Sequence, residues 1–177
     1  GQYVSAQKSF IEFSAITKSS ILKAEAVYFT AACGIELFNK DSEWMMREFI
    51  KNYPSSNKIN NAYFYLGKSN FRKKKYDETI EYFEKTDIYN LNKTRLAELY
   101  FKRGYSYLQV QNDAKAKADF FEIKDVENKY QAPANYYYSH LVYKEKNYEI
   151  ALQGFNNLIG NETFGSVVPY YITQIYF

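Results

Sequence analysis

The sequence predicts an all-α fold built from repeated helix–turn–helix units. Gly and Pro are scarce, with 7 and 3 residues in the 177-residue chain, which leaves few of the tight turns that a many-stranded β fold needs. The apolar fraction of 46% is enough for a core, and 20 Tyr with 14 Phe mean that much of this core consists of aromatic rings. The third observation is an internal repeat.

One phenylalanine recurs along the chain at a nearly constant interval. The residues are Phe10, Phe49, Phe83, Phe120 and Phe155, in steps of 39, 34, 37 and 35 residues. Such a period corresponds to one helix–turn–helix unit, which cannot bury its own apolar face and must stack on its neighbours. In three copies an alanine precedes the phenylalanine by four residues, so both side chains lie on one face of the second helix.

A small residue is expected in the first helix of each unit, where it lets that helix approach its neighbour's backbone. Cys33, Gly67, Gly104 and Ser139 take this place. Asn92 or Thr94 is expected to cap the helix that contains Gly104, and Asp113 the helix that follows it.

The repeat divides the chain into one continuous array over residues 1–177. Because the array opens and closes in mid-unit, without a polar capping helix, we expect further repeats beyond Phe177 and self-association through the uncovered C-terminal end. The expected elements are a half unit at 1–15, full units at 20–53, 57–88, 94–130 and 132–160, and a partial unit at 166–177.

The repeated pattern resembles that of the tetratricopeptide repeat (TPR) family: aromatic-x-x-Leu-Gly-x-x-Tyr, then Ala-x-x-x-Phe. The stretches from Tyr63 to Phe83 and from Tyr136 to Phe155 match it best. The resemblance implies a right-handed α-solenoid of about four full units with a half unit at each end. It also implies a scaffold for protein–protein interaction, with a concave groove for a protein or peptide partner, and no enzymatic activity.

The family register places an aromatic set of residues in that groove. An apolar channel rimmed by Lys68, Arg72 and Lys144 suits a peptide with apolar anchors and an acidic flank. In the alternative interpretation, these rings pack against one another across the array. Phe64 and Lys68 depart from the family's carboxylate-binding pattern. The groove residues are Phe64, Lys68, Phe71, Arg72, Phe101, Tyr105, Leu108, Gln109, Tyr136, His140, Tyr143 and Lys144.

A narrower resemblance concerns the segment FIKNYPSSNKINNAYFYLGKSNF, from Phe49 to Phe71. Its Tyr-Pro-x-Ser linker is similar to that of repeat proteins of the bacterial envelope, including outer-membrane assembly lipoproteins and periplasmic division factors. The resemblance implies a periplasmic, outer-membrane-associated location within a longer protein. The chain itself shows no signal peptide and no apolar run of about 18 residues.

No motif for nucleotide binding, metal binding or nucleophilic catalysis is present. His140 is either a general base or a first-helix residue that faces the groove. Cys33 stands three units away, on the order of 30 Å if packed helices lie ~10 Å apart, which excludes a Cys–His pair. We therefore expect no enzyme, cofactor, metal or small-molecule substrate.

The net charge of +3 is too small to imply a polyanionic partner. Stacked rings with Lys and Arg could also hold a non-protein polymer, a glycan or single-stranded RNA. Glu98 interrupts any basic channel, so a nucleic-acid partner is not expected. The run Arg72 to Lys75 is interpreted as a solvated turn, with anion binding as the alternative.

Overall fold

The computed structural model describes residues 1–177 and contains α-helices, one short 3₁₀-helix (Ile88–Asn90) and no β-strand, so the all-α prediction is confirmed. Consecutive helices pack on one another over residues 2–84 and again over residues 93–176, which is consistent with a helical solenoid. The helices are α1 (Gln2–Ile16), α2 (Ser20–Glu36), α3 (Ser42–Asn52), α4 (Ile59–Arg72), α5 (Tyr76–Glu84), α6 (Lys93–Gln109), α7 (Asp113–Phe121), α8 (Gln131–Lys144), α9 (Tyr148–Asn156) and α10 (Val168–Tyr176).

Backbone contacts divide the chain into two compact bodies. The N-terminal body, Gly1–Asn90, contains α1 to α5, and the C-terminal body, Leu91–Phe177, contains α6 to α10. Within them, α2–α3, α4–α5, α6–α7 and α8–α9 form four helix pairs. The single array and its unit boundaries stay predictions.

The same left-handed turn joins the two helices of every pair. Phe38, Lys74, Gln111 and Lys146 have φ values of 63°, 58°, 60° and 62°. Around Gln111, the N–H of Gln111 donates to the carbonyl of Leu108 at 3.1 Å, and the N–H of Asn112 to that of Tyr107 at 2.8 Å. The other three turns make the same two bonds. This Schellman arrangement satisfies carbonyl groups at the end of the first helix.

The recurring phenylalanines of the second helices lie at the centre of the core. Phe49, Phe83, Phe120 and Phe155 are all 0% exposed. The glycine of the first helix makes room for this ring. A Cβ atom on Gly67 would lie 2.7 Å from the ring of Phe83.

In the first pair the predicted small residue, Cys33, is buried, and a Cβ atom on its neighbour Gly34 would lie 2.1 Å from Ser42 Oγ. One detail of the sequence prediction is corrected by the structure. The cap of α7 is Asn112 rather than Asp113, because the side chain of Asn112 precedes the helix and accepts from the N–H of Lys115. The predicted Asn92 cap of α6 is confirmed by its bond from the N–H of Arg95 at 2.9 Å.

We expect Phe120→Ala to lower the free energy of unfolding by about 3–5 kcal/mol, because it removes a fully buried ring. Urea unfolding followed by circular dichroism measures the change. Phe121→Ala is the matched control, since Phe121 is 56% exposed and its loss should cost less than about 1 kcal/mol. Equal effects of the two substitutions would contradict this packing.

We expect Gln111→Gly to stabilise the protein by about 1 kcal/mol, because glycine adopts positive φ without the steric penalty of a side chain. Gln109→Gly, at the last residue of α6, should instead destabilise it, by less than the ~1 kcal/mol typical of a helix interior. Thermal unfolding of both variants checks the opposite signs. A lower melting temperature for Gln111→Gly would count against the turn geometry.

Candidate functional site

The first ring cluster of the C-terminal body consists of Phe101 and Tyr105 from α6, Phe120 from α7, Tyr130 from the connection to α8, and Tyr137 from α8. Phe101 lies tilted on Phe120, with ring centroids 6.0 Å apart, and stacks on Tyr130 at 4.7 Å. Tyr137 stacks on Phe120 at 5.3 Å and meets Tyr105 edge-on at 5.6 Å. The cluster therefore joins two successive first helices through the second helix between them.

The second ring cluster repeats this arrangement 34 or 35 residues further along. It consists of Tyr136 and His140 from α8, Phe155 from α9, Phe164 from the next connection, and Tyr171 from α10. Tyr136 lies tilted on Phe155 at 6.5 Å and stacks on Phe164 at 4.6 Å. Tyr171 stacks on Phe155 at 4.9 Å and meets His140 edge-on at 5.5 Å. Every ring contact of the first cluster thus has a counterpart in the second.

His140 occupies the place that Tyr105 has in the first cluster. Its ring makes an angle of 75° with that of Tyr171, and the ring of Tyr105 makes one of 74° with that of Tyr137. The Nδ1 atom of His140 is buried and has no hydrogen-bond partner. A catalytic histidine is normally oriented by a hydrogen bond at its second nitrogen, and none is present here. The geometry therefore favours a packed ring over a general base.

The charge state of His140 follows from these surroundings. Burial lowers the pKa of His140 below its ordinary value of 6.5, Lys144 lowers it further, and Asp113 acts in the opposite direction. In the same cluster, burial and then a hydrogen bond with Tyr136 raise the pKa of Tyr171 to about 12. Both rings are consequently uncharged at neutral pH, as their packing requires.

The two clusters form a continuous aromatic surface, because Tyr136 and Tyr137 contact each other at 5.4 Å. Tyr143 extends it through a contact with Tyr171 at 5.5 Å. The predicted groove residues of this body are half-buried, Leu108 included, except for Gln109 and Lys144, which are exposed. We use the name aromatic surface for Phe101, Tyr105, Tyr136, His140 and Tyr143.

The predicted groove residues of the N-terminal body have other environments. Phe64 is 2% exposed and packs on Phe83 at 5.8 Å, so its assignment to an open groove is corrected: it belongs to the core. Lys68 donates to the carboxylate of Glu36. Phe71 is half-buried and meets another ring, that of Tyr76, edge-on at 6.3 Å.

Arg72 contacts the turn of the preceding helix pair. It donates to the carbonyl of Ile35 and places its guanidinium 4.2 Å from the ring centroid of Phe38. Its charge, like that of Lys68, is therefore engaged within the body, which leaves these two residues less suited to bind an acidic partner than the sequence predicted.

Basic side chains around the aromatic surface are paired with acidic ones. Arg103 donates two hydrogen bonds to the carboxylate of Asp119, at 2.8 and 2.9 Å. This part of the chain consequently presents paired charges instead of a basic channel. The other pairs are Lys102 with Glu98, Lys117 with Glu145 and Lys144 with Asp113.

Sequence reasoning missed Tyr130 and Phe164, which stack on the first-helix rings of the two clusters. Both lie in connections between helix pairs, where no helical periodicity exists to identify a buried face. Their separation of 34 residues was the available signal. Tyr171 is recognisable in the same way, 34 residues after Tyr137.

Four similar helix pairs with matching turns and repeated ring contacts define a helical-repeat protein. Residues 61–86 match the family model of the tetratricopeptide repeat. This segment, which is the α4–α5 pair, therefore carries a tetratricopeptide repeat and supports the resemblance seen in the sequence. Among curated proteins, none matches the chain. The repeat supports a general role as a scaffold for protein interactions, and proteins of this all-helical kind are typically non-catalytic. None of the helices combines the length and hydropathy needed to cross a membrane.

We expect the stability of the protein to fall as pH decreases below about 6.5, because the unfolded state then binds a proton at His140 more readily than the folded state does. Urea unfolding between about pH 7.5 and 5.5 measures this slope, above the range in which ordinary carboxylates titrate. His140→Tyr, which copies the ring of the first cluster, should remove the slope. His140 is the single histidine of the chain, so an unchanged slope in this variant would refute the explanation.

Proposed function

We propose that the chain binds a protein or peptide partner through the aromatic surface of its C-terminal body, as part of a larger bacterial envelope protein. The observation that carries this proposal is the half-buried state of the five rings. Each ring is held by contacts with its neighbours and keeps part of its surface exposed to solvent. Rings that are already immobilised lose little conformational entropy on binding, which makes them effective anchors.

The chemistry of this surface indicates apolar anchors in the partner. Lys144 is exposed but already pairs with Asp113, which reduces the support for an acidic flank. Packing and binding, the two interpretations of the rings, are compatible, because a half-buried ring can pack with part of its surface and bind with the exposed remainder. The periplasmic location rests on the envelope resemblance of the linker and remains part of the proposal.

A non-protein polymer is the second candidate. Near-parallel ring stacks, such as Tyr136 on Phe164 with an angle of 17°, resemble the platforms on which sugars or bases stack. Paired charges disfavour RNA, whose binding needs a continuous basic surface. A glycan is therefore the stronger form of this alternative.

The first test selects peptides from a random displayed library against the 177-residue chain and compares variants by fluorescence anisotropy. Tyr105→Ala combined with Tyr143→Ala should weaken binding about tenfold or more, because it removes two accessible rings. Tyr136 is left unchanged because its ring also contacts Phe155, Phe164 and Tyr171. Tyr89→Ala is the control, since Tyr89 is 92% exposed and lies in the N-terminal body.

Circular dichroism of each variant separates lost binding from lost folding. Equal affinity of the double variant and the control would exclude the aromatic surface. Enrichment of no peptide, together with binding of an oligosaccharide, would favour the second candidate. Binding of single-stranded RNA that collapses between roughly 50 and 200 mM salt would instead indicate a nucleic-acid partner.

A further inference from the structure

The first helix of the pair α6–α7 is much longer than the second. α6 has 17 residues and α7 has 9. At ~1.5 Å per residue, α6 therefore extends roughly 12 Å beyond the length that α7 can cover. The connection at residues 122–130, which is not helical, covers this end of α6 instead. A cavity of about 450 Å³ lies between them.

The floor of this cavity is apolar. It is formed by Leu96, Ala97 and Tyr100 of α6 and by Ile123 and Val126 of the connection. Val126 is 53% exposed, so the cavity opens to solvent beside an uncovered aliphatic side chain. Covering such a surface is favourable by about 25 cal/mol per Å² of apolar area removed from water.

The rim of the cavity carries balanced charge. Lys93 and Lys129 lie at its edge together with Glu122 and Glu127. Two positive and two negative side chains give no preference for an anion or a cation. The selective feature of the site is therefore its apolar floor, and the volume falls within the range of about 300–1,000 Å³ that is typical of ligand sites.

A second cavity lies beside another long first helix, and its lining differs from that of the cavity beside α6. In the N-terminal body, α2 has 17 residues and α3 has 11, and a cavity of about 480 Å³ lies beside the start of α2. Its lining includes Ser20, Ser55, Ser56 and Asn57. The cavity beside α6 has no serine in its lining and is the better site for an apolar group.

Tyr130 connects the apolar cavity to the aromatic surface. Its ring lines the cavity and also stacks on Phe101 at 4.7 Å, with an angle of 15°. Phe101 belongs to the aromatic surface, so the two sites share one wall.

We propose that this cavity receives one large aliphatic or aromatic side chain of the peptide partner that binds the aromatic surface. The inference rests on the proposed function and adds to it a specific anchor site. The rings hold the peptide along its length, and the cavity selects for Leu, Ile, Met or Phe at one position of that peptide.

The test measures the affinity of library-selected peptides for three forms of the 177-residue chain: wild type, Val126→Arg and Val110→Arg. Val126→Arg places a charged side chain across the opening and should weaken binding about tenfold or more, the loss expected for an anchor contact. Val110→Arg is the matched control, because Val110 is 37% exposed at the opposite end of α6. Its affinity should match that of the wild type.

Two further measurements identify the occupant. The methyl NMR signals of Ile123 and Val126 should shift when peptide is added to the wild type. Replacing the large apolar residue of the peptide by Ala should weaken its binding to the wild type but not further weaken its binding to Val126→Arg. Such non-additivity shows that the two changes remove the same contact.

The outcomes separate this inference from the proposed function. Equal affinity for wild type and Val126→Arg would overturn the anchor site and leave the aromatic surface as the binding site. Failure to select any peptide would overturn both proposals. A wild-type dimer in light scattering that Val126→Arg converts to a monomer would identify a second copy of the chain as the occupant, and would overturn the peptide anchor.

Discussion

The contact between one first-helix ring and the phenylalanine of its partner helix is the constraint on which the rest of the structure depends. It recurs as Phe64 with Phe83, Phe101 with Phe120 and Tyr136 with Phe155, with centroid distances of 5.8, 6.0 and 6.5 Å and angles of 52°, 55° and 59°. Such a contact requires two helices that approach closely, which explains the glycines that face the phenylalanine rings in α4 and α6. The same contact also sets the separation of the two helices that the left-handed turn connects. Helix spacing, turn geometry and ring packing therefore depend on one another, and the same combination is repeated along the chain.

The fold class and the buried phenylalanines could be predicted from the sequence. The length of each turn and the burial of individual residues could not, because the repeat interval carries no information about them. The phenylalanine interval predicted the all-α fold and the second-helix residues that proved fully buried. The interval could not show that the first turn is longer than the second: α3 begins four residues after Phe38, whereas α5 begins two residues after Lys74. Turn length is set by local backbone geometry, and a repeat interval alone does not resolve it.

The sequence predicted which helix face carries the candidate site, but not how deeply each of its residues is buried. The register identified the helix face that carries Tyr105, Tyr136 and His140, and these rings do form one connected surface. It could not show that Phe64, on the equivalent face, is almost completely covered. Burial depends on what neighbouring segments place over a residue, and the covering rings of the C-terminal body come from connections with no regular period. Residues such as Tyr130 therefore become visible only in three dimensions.

The high aromatic content follows from the packing of the helix pairs, and the proposed binding role uses the same side chains. A helix pair of this size cannot bury its own apolar face, so rings that bridge successive pairs supply stability. In the C-terminal body the same bridging holds the half-buried first-helix rings in place, and in the proposed binding role such rings lose little conformational entropy. The exchange of Tyr105 for His140 at equivalent places shows that the packing tolerates a different ring there. In the proposed binding role, substitutions at these places, or in the cavity beside α6, alter selectivity for a partner while the ring–phenylalanine contacts within each helix pair stay the same.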